Sequence, residues 1–338
     1  MKSSRLLVRI SLVLFCLAIG AFLIGRYYIF AAYEYEPVRV EIPAGSTSQD
    51  VNTIMKDALG KSFGGKVALL WSLQGGSPEG SRGSYLVNPG DNALRVARTI
   101  AKGRQTPVRF TFNNMRLYTE LAAKAGNVFE FDSLAFMEAS RNTLSAKGYT
   151  PEEYSAAVLP DTYEFYWTDK PIDVIERISQ HRDRFWNSSR RDKAKALGLT
   201  PEQVHIIASI AEEESNRLDE RPKVARLYIN RLDKGMALQA DPTLKFASKN
   251  FGVRRITHKM RDIDSPYNTY SRPGLPPGPI RIAEAATIDG VLDSPRHDYV
   301  FMCARSDFSG YHDFARTYDE HRINAARYHR ALDARGIK

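Results

Sequence analysis

From Ile10 to Ile24 the chain reads ISLVLFCLAIGAFLI, fifteen residues without a charge, and no other stretch restricts its possible folds so strongly. Lys2, Arg5 and Arg9 precede this run, and Arg26, Tyr27 and Tyr28 follow it. With its flanks from Leu6 to Ala32 it is long enough to cross a bilayer as one helix. A secretory signal has an apolar run of similar length, but no small-x-small cleavage site follows here. Tyr27, Tyr28, Tyr33 and Tyr35 suit an interfacial aromatic belt instead. The expectation is an uncleaved single-pass anchor over residues 1–34. The basic residues would hold its N-terminus in the cytoplasm and send the chain from about residue 34 across the cytoplasmic (inner) membrane. Cys16 lies in the anchor and Cys303 is the other cysteine, so the exported part can form no internal disulfide.

The 338 residues allow about two domains beside the anchor. A net charge of +9 favours anionic partners: nucleic acid, acidic lipid or an anionic polymer. The chain lacks a basic run interleaved with aromatics, and no Cys/His spacing suits zinc, so no nucleic acid, metal or cofactor is expected. Residues 35–108 are short and mixed in pattern. Val38, Val40 and Ile42 alternate as a strand, Ser46 to Leu59 suits a helix, and Gly75 to Gly83 is a loop. Ser84 to Val87 then suits a strand and Ala93 to Ala101 a helix. Such a strand, helix, strand, helix unit is either a binding module or a packing domain. A strand over Val108–Phe112 opens a mainly helical region, with helices expected over Leu117–Ala125, Ser133–Leu144, Ile172–Asn187 and Ser189–Leu197. Within it, LPDTYEFY sets Asp161 and Glu164 among aromatic side chains. That mixture suits a saccharide site, and an amphipathic strand equally.

Thr200-Pro201-Glu202-Gln203 combines a hydroxyl N-cap, proline at the first helical position and Gln three residues after the cap, which predicts a helix start. The helix continues as HIIASIAEEES and carries three carboxylates out of an apolar run. At about 100° per residue, Ile206, Ile207, Ile210 and Ala211 form a stripe, and Glu214 falls back onto it while Glu212 and Glu213 point toward solvent. A carboxyl on a buried face must be protonated, paired or held in a cleft with a raised pKa. Glu214 is therefore a candidate general acid, the competing reading being a salt-bridge partner. A second helix, Glu220–Lys234, is followed by three loops rich in polar and aromatic groups: LQADPT (238–243), SPYNTY (265–270) and GLPPGPI (274–280).

The strings ASIAEEES, RLYINRLDKGMALQADPT, SPYNTY and GLPPGPI, with LPDTYEF upstream, jointly resemble the YceG-like family of membrane-anchored endolytic murein transglycosylases. The resemblance is firmest over residues 155–282. It implies that Glu214 is the catalytic carboxylate and that the segment before the catalytic domain is LysM-like, with Gly83 through Gly103 matching its second half. Two departures stand out: Glu213 adds a third acid, and Lys61–Arg82 is hard to match.

The fold expected is α+β: a single N-terminal transmembrane helix (1–34), a small LysM-like module (35–108), and a mostly helical catalytic domain with a β-sheet (109–338). Glu214 would cleave nascent peptidoglycan glycan strands, first as acid to the glycosidic oxygen and then as base to the muramyl C6 hydroxyl, giving a 1,6-anhydro end and terminating strand growth. Asp161, Glu164, Gln239, Asp241, Thr243, Tyr267, Asn268, Thr269 and Tyr270 would bind the saccharides. Peptidoglycan strands, the cytoplasmic membrane and peptidoglycan synthases are the candidate partners. Two alternatives stay open: a hydrolase pairing Glu214 with Asp241 or Asp161, and a non-catalytic cell-wall scaffold.

Overall fold

The structure is a computed structural model that describes residues 2–113, 115–253 and 256–336, with side chains from residue 10 onward. The side chains of Lys2, Arg5 and Arg9 therefore lie outside the described set. The chain divides into two compact units.

The first unit begins with helix α1 (Lys2–Ile29). No residue of its segment Ile10–Ile29 is buried, and the segment is long and apolar enough to cross a membrane. Strand β1 (Val38–Ile42) leads into α2 (Ser48–Leu59) and α3 (Lys61–Leu73), then β2 (Gly83–Val87) and α4 (Ala93–Ala101). β1 and β2 pair antiparallel in the register Val38↔Val87 to Ile42↔Gly83. Val40 and Ile42 alternate inward, as their spacing predicts, and meet Val51, Met55, Trp71, Tyr85 and Ile100 in one core. A capping box starts α2: Thr47 accepts from the Asp50 N–H, and Asp50 accepts from the Thr47 N–H.

The order here is strand, helix, helix, strand, helix, so the sequence reading missed α3. Glycines hid it: α3 reads KSFGGKVALLWSL, and internal glycines argue against a helix. Gly64 has a packing reason, because a Cβ there would lie 2.2 Å from the Met55 carbonyl oxygen. The glycine lets α3 close onto α2, and the core they share compensates for the lost propensity.

The second unit holds the expected helical region. Strand β3 (Val108–Phe112), α5 (Tyr118–Gly126), α6 (Ser133–Ala146), a 3-10 turn (Pro151–Ala157) and β4 (Asp161–Phe165) are followed by α7 (Pro171–Phe185) and α8 (Ser188–Ala196). The division between the units runs through β3 and β4. Next come α9 (Pro201–Glu214), α10 (Arg221–Asp233), α11 (Asp241–Ser248), the short α12 (His258–Arg261), α13 (Ala285–Leu292), the hairpin β5 (Phe301–Ala304) and β6 (His312–Ala315), and α14 (Tyr318–Ala334). There is no single sheet among the described residues. Strands pair two by two, β1 with β2, β3 with β4 and β5 with β6.

Helix α9 is the hub. It packs against α8, α10, α11 and α13 as well as the 3-10 turn, and every residue from Val204 to Glu212 is buried. A helix enclosed all round has no solvent face, and this corrects the expectation for the acids. Glu212 is 3% exposed, with Arg281 Nε at 2.9 Å and Arg221 Nη1 at 3.8 Å. Glu213 is paired with Arg116 and Arg281, both at 3.0 Å.

The segment 280–284 runs along α9 and donates three backbone N–H groups to it. Ile280 bonds Ser209 Oγ at 3.1 Å, Ala283 bonds His205 Nε2 at 3.0 Å, and Glu284 bonds Glu212 Oε1 at 2.8 Å. The three acceptors recur at helical spacing on one face, so polar side chains inside the core satisfy an extended backbone that has no strand beside it. Burial, reinforced by Arg182, lowers the pKa of His205 to about 3, which keeps the ring neutral and able to accept.

Candidate active site

Glu214 ends α9 at the floor of a cavity of about 230 Å³. Its walls come from α10 (Leu227, Tyr228, Arg231), the segment Leu238–Asp241, Tyr270, and the β5–β6 hairpin (Met302, Cys303, Ala304, His312). The Tyr228 hydroxyl donates to Glu214 Oε1 at 2.7 Å. Burial raises the Glu214 pKa to about 7; the Tyr228 bond opposes the rise, nearby Asp241 adds to it, and His312 and Lys245 oppose it. Near neutral pH both protonated and ionised forms of this carboxyl are thus populated. Burial and the Glu214 carboxylate together push the Tyr228 hydroxyl well above its usual range, so it remains a donor.

The sequence candidates fall into three groups. Gln239, Asp241 and Tyr270 line the cavity with Glu214, and the Tyr270 hydroxyl donates to Asp241 Oδ1. Asp241 is the first residue of α11, a helix where the sequence reading had a loop; the DPT start, with Pro at the second position, suits a helix N-terminus.

Thr243, Asn268 and Thr269 stand behind the wall and are fully or almost fully buried. Thr243 and Thr269 share a hydroxyl hydrogen bond of 2.8 Å, and Thr269 accepts from the Ala240 N–H. Asn268 donates to the carbonyls of Arg261 and Ile263 and accepts from the Tyr270 N–H. Tyr267 packs its ring 4.6 Å from that of Phe246. These four fix the loop that presents Tyr270 and Gln239. Gln239 holds a left-handed backbone, φ 51°, with its N–H on the Thr269 carbonyl and its side-chain oxygen 3.3 Å from Arg231.

Asp161 and Glu164 are exposed on β4 and do not line this cavity. Asp161 faces His181, Nε2 to Oδ2 3.1 Å.

Sequence reasoning missed four contributors. Tyr228 shares one side of α10 with Val224, Leu227 and Leu232, a spacing that marks no site, yet its hydroxyl donates to Glu214. Arg231 is 7% exposed and donates to the carbonyls of Val300, Ala237 and Leu238, joining the hairpin to the cavity wall. His312 and Glu220 form a pair at 2.8 Å. The one available signal was the set of polar groups SGYHDF around a glycine near the C-terminal end.

The YceG-like family pattern matches residues 40–327. The chain belongs to the YceG-like family. Among named members, an endolytic murein transglycosylase of Bacillus subtilis is 32% identical over 171 residues, which cover 51% of this chain and 47% of that protein. One of Streptococcus pneumoniae is 28% identical over 138 residues, covering 40% of this chain and 25% of that protein. The chain thus spans about half of the first relative's length and a quarter of the second's. A YceG-like protein of Listeria monocytogenes, solved by crystallography, has the same fold with a TM-score of 0.55 at 23% identity, over 85% of this chain and 98% of that one.

Proposed function

We propose that this YceG-like protein is an endolytic lytic transglycosylase of peptidoglycan, with Glu214 as its acid and base. The supporting observation is that one cavity carboxyl, Glu214, has its pKa raised to about 7 by burial. A group that must donate and then accept a proton works best with a pKa near the ambient pH.

In the first step Glu214 protonates the glycosidic oxygen as the bond from the muramyl C1 breaks. In the second the muramyl C6 hydroxyl attacks C1 and gives its proton to the Glu214 carboxylate. The products are a free hydroxyl on one strand and a 1,6-anhydro ring on the other, with no water consumed and the enzyme restored. Gln239, Asp241 and Tyr270 would contact the saccharides, while Thr243, Tyr267, Asn268 and Thr269 would hold those contacts in place. The named relatives support this substrate class.

Hydrolysis is the second reading, because Asp241 lines the same cavity and could activate water. Mass spectrometry of digested uncrosslinked strands decides between them: anhydromuramyl ends support the transglycosylase, and reducing ends carrying one added water support the hydrolase. Glu214→Gln abolishes either product; strands still cut by that variant would remove Glu214 from the chemistry.

We also assign α1 as the anchor, with the N-terminus cytoplasmic and the chain from about residue 34 onward outside the inner membrane, and the β1–β2 module as a LysM-like glycan-positioning element beside peptidoglycan synthases. The apolar length of α1 supports the anchor. N-terminal sequencing of the membrane fraction that found a mature start beyond residue 25 would overturn the uncleaved anchor.

A further inference from the structure

The β5–β6 hairpin is fastened to the loop that follows Glu214. Arg217 donates to the Ser309 carbonyl, Tyr311 donates to Asp219, and Glu220 takes the most central tie. Glu220 is 5% exposed and its carboxylate accepts three hydrogen bonds: from the His312 N–H at 2.7 Å, from His312 Nδ1 at 2.8 Å and from Ser215 Oγ at 2.8 Å. Ser215 is the residue immediately after Glu214, so one buried carboxylate fixes both the end of α9 and the orientation of the His312 ring.

An acceptor at Nδ1 settles the tautomer: the Nδ1 position carries a proton, and Nε2 is the nitrogen left for a ligand. His312 lines the Glu214 cavity. We propose that His312, held by Glu220, is a second substrate-contacting residue of this cavity, donating through Nε2–H to an acceptor oxygen of the bound saccharide. This rests on the reading of the cavity as the glycan-cleaving site.

Burial alone would lower the His312 pKa, but the Glu220 pair outweighs it and leaves the pKa raised, a direction that favours the doubly protonated ring in which Nε2 can donate. Its charge also favours the Glu214 carboxylate that forms after the first step. A tie needed only for packing would not require an ionisable ring at the cavity wall, since Arg217 and Tyr311 fasten the same hairpin outside it.

Two substitutions divide the ring's functions. His312→Asn can keep an amide N–H on Glu220 but offers nothing at the Nε2 position. His312→Gln reaches the Nε2 position with an amide N–H and gives up the Nδ1 bond.

With full-length protein and uncrosslinked glycan strands, His312→Asn is expected to lower kcat/KM by about 10–100-fold, the scale of one lost charge-assisted hydrogen bond. His312→Gln should recover part of that loss. Tyr311→Phe, which loosens the hairpin without touching the ring, should turn over as wild type. Wild-type kinetics for His312→Asn, or an equal loss in Tyr311→Phe, would overturn the proposal.

Strand binding measured in the inactive Glu214→Gln background gives a second test that needs no turnover. Adding His312→Asn should weaken binding about tenfold or more, and undiminished binding would sink the contact while leaving the cleavage reading intact. If Glu214→Gln itself still cuts strands, the cleavage reading fails instead.

Discussion

Glu214 is a carboxyl kept where the fold disfavours its charge, and that has a measurable consequence for stability. Its folded pKa of about 7 stands above the ordinary 4.5. For a group raised on folding, the contribution is complete below the unfolded pKa and is lost as pH rises through the folded value. At about 1.36 kcal/mol per unit, the loss between pH 4 and pH 8 is about 3 kcal/mol. Glutamine has the shape of the protonated acid and cannot ionise. Glu214→Gln should therefore match wild type near pH 4–5 and exceed it by about 3 kcal/mol at pH 8. For a unit of this size that corresponds to roughly 6–12 °C in the unfolding transition of the second unit. Thermal unfolding of both proteins, solubilised in the same detergent at pH 5 and pH 8, gives the comparison. Titrating groups that do not face Glu214 are common to both and largely cancel in the difference. A gap that is the same at both pH values, or that favours wild type as pH rises, would refute the assignment of a desolvated acid at this position.

Tyr228→Phe removes the donor that favours the Glu214 carboxylate, so the pH–rate limb belonging to Glu214 should move up by about 1–2 units; a downward shift in the profile would contradict the geometry. Glu212→Gln removes the buried carboxylate that faces Arg281 and Arg221, leaving Glu213 as the remaining carboxylate on Arg281, and denaturant unfolding should report a loss of about 1–3 kcal/mol. Asn268→Ala should lower stability by about 1–3 kcal/mol by freeing the carbonyls of Arg261 and Ile263, with turnover falling because Tyr270 is displaced, as melting and kinetics together would show. Cys303 lines the cavity with its thiol pKa raised by burial, so maleimide labelling should be slow at pH 7, faster at pH 9, and slowed further by bound strands, as mass spectrometry of the labelled protein would detect.

Local rules carried part of this structure. The start of α9 was legible because Thr200, Pro201 and Gln203 act within one turn, and the capping box is present as expected. Glu214 was singled out by its place over Ile207, Ile210 and Ala211, and it does reach a cavity floor. The same wheel failed for Glu212 and Glu213, because periodicity tells which residues share a face but not that a helix is enclosed on all faces. Their partners Arg116, Arg221 and Arg281 come from distant segments that no local window contains. GLPPGPI was read as a loop of the site, whereas the 280–284 backbone that follows it is a strap for α9. His312 was beyond reach for a related reason. A lone histidine in a polar turn has meaning only once Glu220 and Glu214 are beside it in space, and nothing in the spacing brings them there.

The cavity wall contains a hairpin whose anchoring pair, Glu220 and His312, is 92 positions apart along the chain. A ribosome delivers Glu214 long before it delivers residues 301–315, and a chain threaded across a membrane from its N-terminal side emerges in the same order. Until the hairpin folds back, the carboxyl has no fourth wall, its surroundings are wet, and its pKa stays near that of an ordinary glutamate. A carboxyl walled in this way acquires its raised pKa only when the last strands are in place.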